Sequence, residues 1–374
     1  MRCGKQSELL YLNRIEFVMM FMFRTMLVVI SLLLSVATTS AEVIRVGVVN
    51  PGYQDTGFWG QVSDVMAAAA KQLNIELVEV YGQRHWKIML NEGRVLIEQQ
   101  PLDYLILVNE HQRAKDLIRL AEHKQLPTFM LLNDFDEPEQ TYSFWKGSLI
   151  PDNHAAGLEM ANRLFALQQG SPRLFTIIGD HLTPASLART SGLDSALQAN
   201  TSVKELLRVS GEWSEEVAYQ KTLLMLRRDT PNMIWAANDN IALGAIRALK
   251  QHNLVPGKDV ALAGLNWSQA GLNAVEQGEL LLTHGGHFMA GAWMLVMIHD
   301  YHQANGAIPT LQQTFEMSAI DATNIKKYLE CFGDKQWSRI DFRRYVLSKE
   351  DLSKGRQYPF HLKSMFRFAS SCRQ

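Results

Sequence analysis

The chain has 374 residues, with 37 Lys and Arg against 38 Asp and Glu, for a formal net charge of −1. That balance gives no field to draw the protein onto nucleic acid or an anionic membrane, so partners have to be read from sites. The length exceeds what one small core organises, so two lobes are expected.

In chain order, the first signal lies at the amino end. Arg24 precedes an apolar run from Met26 to Val36, and the small residues Ala37, Thr38, Thr39, Ser40 and Ala41 follow. This order predicts an export signal over residues 1–41, cleaved after Ala41. The run holds about eleven residues where a membrane-spanning helix needs about twenty, which weighs against an uncleaved anchor. Met22 is an alternative start, since Met22-Phe23-Arg24 makes a compact charged lead-in. Cleavage removes Cys3 and leaves Cys331 and Cys372, as one disulfide in an oxidising compartment or as two thiols.

Beyond the signal, strand-like and helix-like patterns alternate. Val43 to Val49 reads as strand, Trp59 to Leu73 as helix, Ile75 to Val80 as strand, Glu92 to Gln99 as helix and Tyr104 to Val108 as strand. Helix from Gln112 to His123 and strand from Thr128 to Leu132 complete the first set. The acidic and aromatic segment 133–148 reads as a crossover between lobes. A second set then runs from helix Asn153 to Leu167 through strand Leu174 to Ile178, helix Pro184 to Ala199 and strand Glu205 to Val209. Helix Ser214 to Arg227, strand Met233 to Ala236, helix Ile241 to His252 and strand Val260 to Leu265 finish it. This pattern predicts an α/β fold of two doubly wound parallel-sheet lobes.

From Asp321 onward the chain turns basic, with Lys326, Lys327, Arg343, Arg344 and Arg367 among aromatics such as Trp337, Phe342 and Phe360. Residues 321–374 read as an extension that packs its aromatics on the lobes and leaves its charges solvated. Docking onto a membrane partner or an anionic surface is the alternative.

In an open parallel sheet, ligands sit beyond the carboxyl ends of the strands. That rule nominates Asn50 and the aromatics Phe58 and Trp59 after the first strand, Asn109 after the next, and Asn133 and Asp134 after the one beyond. In the second lobe it nominates Arg189, Trp213, Asn238 and Asn266. Amides both donate and accept hydrogen bonds, as hydroxyl groups require, and aromatic faces suit a ring. Each Asn or Asp alone is equally a helix cap. No nucleophile elbow, zinc-protease motif or complete phosphate loop occurs, so no catalytic residue, metal or cofactor is expected.

The stretch Ala236-Ala237-Asn238-Asp239-Asn240-Ile241-Ala242-Leu243-Gly244-Ala245, with Gly257-Lys258-Asp259-Val260 and Gly264-Leu265-Asn266, carries a family likeness. Supporting it are Gly57-Phe58-Trp59, Pro151-Asp152-Asn153 and Ala188-Arg189-Thr190-Ser191-Gly192. From about Glu42 to Ile320 the chain resembles type I periplasmic binding proteins, the superfamily of ribose-binding protein and the LacI-type effector domain, and within it the sugar-binding components of ABC transporters. The resemblance implies a three-crossover hinge, with an N-terminal lobe of residues 42–145 plus about 285–312 and a C-terminal lobe of residues 146–284 plus about 313–320. It implies a small polar ligand, a sugar first, clamped between lobes for import through a membrane permease. A receptor of the same fold that reports to a membrane sensor kinase or chemoreceptor is the alternative. The ribose-type pattern has Asp where Asn266 stands and an amide-bearing residue near Gly286. His287 is expected to compensate, with a titration of ligand affinity between pH 5 and 8 as its sign.

Overall fold

The computed structural model describes residues 43–54, 56–110, 113–133, 142–167 and 171–372. The export signal expected over residues 1–41 and the expected site residue Asp134 lie outside them.

Alternating apolar and amphipathic segments build two six-stranded sheets. In the first half, β1 (Ile44–Asn50), β2 (Ile75–Tyr81), β3 (Tyr104–Leu107), β4 (Thr128–Leu131) and β5 (Trp145–Pro151) alternate with α1 (Gly57–Leu73), α2 (Trp86–Gln99) and α3 (Lys115–His123). The second half sets α4 (Asn153–Phe165), α5 (Pro184–Ala199), α6 (Glu215–Leu226), α7 (Asp239–Gln251) and α8 (Gln269–Glu276) among β6 (Arg173–Ile178), β7 (Lys204–Ser210), β8 (Met233–Ala236), β9 (Ala261–Leu265) and β10 (Leu282–Gly285). The chain then returns through α9 (Ala290–Ala304), β11 (Leu311–Phe315) and β12 (Ser318–Asp321).

The first sheet has the order β11-β5-β4-β3-β1-β2 and is parallel throughout. The second runs β12-β10-β9-β8-β6-β7, parallel except where β12 lies antiparallel to β10. Helices cover both faces, which is why inner strands read as unbroken apolar runs: every residue of β3 and β8 is buried. The outer strand β7 keeps only partly buried residues after its exposed first one.

The chain passes between the sheets three times, from β5 into α4, from β10 toward α9 and from β11 to β12. These crossings shift the expected boundaries. Trp145–Pro151 pairs with β4 inside the first sheet, so the crossing falls at Asp152 rather than within 133–148. Asp152 is held there by donating its N–H to Phe315 O at 2.8 Å. The expected late strand near 313–320 is two strands, one in each sheet, because the chain changes sheets between Phe315 and Ser318. Helix α2 starts at Trp86, six residues before the expected Glu92, and its first residue follows His85, which makes no side-chain cap.

One apolar core runs through both sheets and into the carboxyl-terminal extension; a smaller one fills the space under α2 and α3. The extension consists of α10 (Ile325–Phe332), α11 (Lys349–Ser353), α12 (Leu362–Phe368) and 3-10 turns at Trp337–Arg339, Phe342–Tyr345 and Ser370–Cys372. Helix α10 packs on the second half, where the Tyr328 ring meets Trp267 at 5.2 Å. The later turns pack on the first half: Gln72 of α1 donates to Ile340 O and accepts from the N–H of Phe342, both at 2.8 Å. Phe360 stacks on Trp293 of α9 at 4.9 Å. Cys331 and Cys372 form a disulfide, Cα atoms 5.3 Å apart, that fastens the chain end back to α10.

Candidate ligand-binding cleft

Loops at the carboxyl ends of strands in both sheets line one cleft of about 340 Å³. Several of these loops hold non-glycine residues in the left-handed region: Gln83 and Arg84 after β2, Leu132 after β4, Glu212 and Trp213 after β7, and Asn266 and Trp267 after β9. Such conformations cost about 1–3 kcal/mol each and persist only where surroundings over-determine them. Here they recur at the one end of the sheets where strands deliver side chains to a common space.

On the first half, α1 starts with Phe58 and Trp59, whose rings meet edge to face at 5.2 Å. Phe58 stacks on His287, centroids 4.5 Å apart, at the second crossing. Asn133, Arg84 and Glu110 complete this wall.

The second half is organised around Arg189 on α5. It is 4% exposed and spends its donors on neutral acceptors: Nε on Asn153 Oδ1 at 2.8 Å, Nη1 on Ala237 O at 2.9 Å and Nη2 toward His287 Nε2 at 3.4 Å. Its guanidinium also lies over the Trp213 ring, 5.5 Å from the centroid. Burial pulls its pKa down to about 9, with the charge of Asp239 working in the opposite direction. Two glycines allow this placement. A Cβ at Gly157 of α4 would strike Arg189 O, and one at Gly192 of α5 would strike His154 O, so the helices approach at backbone distance.

Asp239, at the start of α7, lies fully buried behind Arg189 and holds three segments together. Its Oδ1 accepts from Thr283 Oγ1 at 2.7 Å, and its Oδ2 accepts from the N–H and the hydroxyl of Ser268, both at 2.8 Å. Burial nevertheless raises its pKa to about 6.

Against this geometry stand the comparisons with known proteins. A family model described as a periplasmic binding protein domain matches residues 46–307. The chain belongs to the periplasmic binding protein domain family. A periplasmic sugar-binding protein from Pseudomonas fluorescens superposes with a TM-score of 0.77 at 30% identity, covering 87% of this chain and all of the other. The xylitol-binding protein of Mycolicibacterium smegmatis is 23% identical over 65% of this chain and 68% of its own length. The galactofuranose-binding protein YtfQ of Escherichia coli is 20% identical over 60% of this chain and 72% of its own.

Within this periplasmic binding protein, Phe58, Trp59, Asn133, Arg189, Trp213, Asn238, Asn266 and His287 all line the cleft. Asn238 also caps α7, its Oδ1 accepting from the N–H of Ile241 at 2.9 Å.

Two expected residues do not line it. Asn50 is turned inward, donating to Glu79 Oε1 at 2.8 Å and Ser63 Oγ at 3.0 Å while accepting from the N–H of Gly52. Asn109 is fully buried and accepts from the N–H of Ala114 at 3.2 Å, just ahead of α3. Both ends of strands need a polar side chain to satisfy the turning backbone, and these two amides meet that need.

The electrostatics run against the pH expectation for His287. Burial, then the charges of Arg189 and His284, hold it well below the ordinary histidine value, which favours the uncharged ring. With Nε2 facing an Arg189 N–H, its proton is assigned to Nδ1, which has no partner among the described residues. The position expected for an amide near Gly286 is filled by Trp267: a Cβ on Gly286 would lie 2.9 Å from that ring.

Sequence reasoning missed Arg84, Glu110, Asn153 and Asp239. Asn153 and Asp239 sat inside quoted motifs and carried a signal. Glu110 also carried one, standing beside Asn109 at a strand end, and Arg84 carried none.

Proposed function

We propose that this protein is an exported solute receptor that shuts its two halves on a small sugar or polyol and delivers it to an ABC-type importer in the inner membrane. The observation that carries this reading is the cleft inventory. Five asparagines, Asn133, Asn153, Asn238, Asn240 and Asn266, share one space with Phe58, Trp59 and Trp213. Amides give and take hydrogen bonds as ring hydroxyls do, while aromatic faces remove water from the apolar side of a ring. The sugar and polyol names of the relatives support the same ligand class, and the apolar run ahead of Ala41 supports export to the periplasm.

Binding rather than catalysis fits the polar groups present. Ser268 and Thr283 are committed to Asp239, Thr183 donates to Asp180 O, and His287 is set against Arg189. Closure follows from the placement of contacts on both halves: a ligand touching both walls favours the shut form by the difference in contacts.

A thermal-shift panel of xylitol, L-arabinose, D-galactose and myo-inositol tests the reading. A ligand at a hundredfold over its Kd adds about 2.7 kcal/mol of stability, which raises Tm by several degrees. No shift with any sugar or polyol sinks it.

A further inference from the structure

Arg84 and Glu110 stand in the first-half wall of the cleft without any role in capping or in the core. Arg84 Nη1 meets Glu110 Oε1 at 3.0 Å, with the two side chains 41% and 18% exposed. Such a half-exposed pair contributes at most about 1 kcal/mol to stability.

The loop that presents Arg84 is costlier than that. Gln83 and Arg84 are consecutive left-handed residues, φ 52° and 58°, and neither is glycine. The strain is held by backbone bonds from Gln83 N–H to Gly52 O and from Arg84 N–H to Pro51 O, both 2.8 Å, which fasten the loop after β2 onto the loop after β1. A weak ion pair does not account for a strained and fastened loop; presenting the guanidinium to the cleft does.

We propose that the Arg84–Glu110 pair is a ligand-contacting element that selects uncharged polyhydroxy ligands over sugar acids and sugar phosphates. The proposal rests on the sugar reading above and adds what the first-half wall requires. Among the described residues the Arg84 side chain is engaged only through Nη1 and Glu110 only through Oε1. Remaining guanidinium N–H groups therefore sit beside a free carboxylate oxygen, a donor next to an acceptor, which fits neighbouring hydroxyls that each give one bond and take one. A carboxylate or phosphate placed there meets the negative charge of Glu110. Arg189, the other arginine among the described residues of the cleft, has its field met by Asp239 behind it, so it gives no opposing preference for anions.

The test is calorimetric titration of the purified protein and of R84M and E110Q with xylitol, L-arabinose, D-galactose and myo-inositol, and with D-galacturonate and galactose 6-phosphate. The expected wild-type result is binding of a neutral compound at least about tenfold tighter than the acids. Each substitution is expected to weaken neutral binding by about tenfold or more, the size expected when one charge-assisted hydrogen bond is lost. Tm without ligand should stay within about 2 °C, as for a surface ion pair, and E110Q should narrow the gap between neutral and acidic sugars. Unchanged affinities in the variants, or equal binding of the acids by wild type, overturn this proposal alone. If wild type binds none of the panel, the sugar reading falls and takes this proposal with it.

Discussion

Asp239 is ionisable, fully buried and held by three hydrogen bonds, yet burial outweighs them and lifts its pKa to about 6. A carboxyl raised in the folded state binds its proton more tightly there than in the unfolded chain. Its stabilising contribution is therefore complete below about pH 4 and gone above about pH 6, a swing of about 3 kcal/mol. Comparing wild type with D239N by chemical denaturation isolates this group from other carboxylates. The stability advantage of wild type should shrink as pH rises from 4 to 7; a constant difference shows that the carboxyl is ordinary.

The residues of the cleft differ in how visible they were beforehand. Trp213 and Asn238 follow from counting strands, because side chains just past a parallel strand face the crevice whatever their type, and Arg189 was nominated from the helix that follows such a strand end. The same rule misassigned Asn50 and Asn109, since an amide after a strand serves a turning backbone as readily as a ligand, and only the partners decide. Arg84 was invisible, because the left-handed turn that presents it uses Gln and Arg, not the Gly or Asn that announce such a conformation; Glu110 stood at a strand end beside Asn109 and was passed over for that neighbour.

At the scale of elements, the contact between α4 and α5 sets the cleft geometry. Gly157 and Gly192 let the two backbones touch, and that contact places Arg189 Nε on Asn153 across the helix pair. In G157A the added methyl meets Arg189 O, so α5 has to move away from α4 and carry its arginine with it. The expected cost is about 1–3 kcal/mol of stability, together with loss of ligand-induced thermal shift. An unaltered shift would mean that Arg189 does not depend on this helix contact. Neither glycine announced this role by composition, because a glycine inside a helical pattern reads the same whether it is tolerated or required. The split of β11 from β12 was equally hidden, since Glu316 and Met317 between them carry no turn signal although the chain changes sheets there.

For the whole molecule, the extension ties the halves together. Its first helix rests on the second sheet and its turns rest on α1 and α9. Cys331–Cys372 closes that circuit across 41 residues of sequence. By chain entropy alone a loop of that size contributes about 4 kcal/mol. The C331S/C372S double variant should lose stability of that order in denaturant titration, and reducing agent should lower wild type to the same level. A loss under about 1 kcal/mol would show that the buried Phe342, Tyr345 and Phe360 hold the extension without covalent help.

Phe288 sits on the second passage of the chain between halves, its ring 5.1 Å from Trp337 of the extension and 6.4 Å from Trp267 beside the cleft. Rotating the halves apart therefore means sliding one flat side chain between two others rather than bending a bare strand through water. A pivot upholstered in this way keeps its apolar surface out of water where the chain passes from one half to the other.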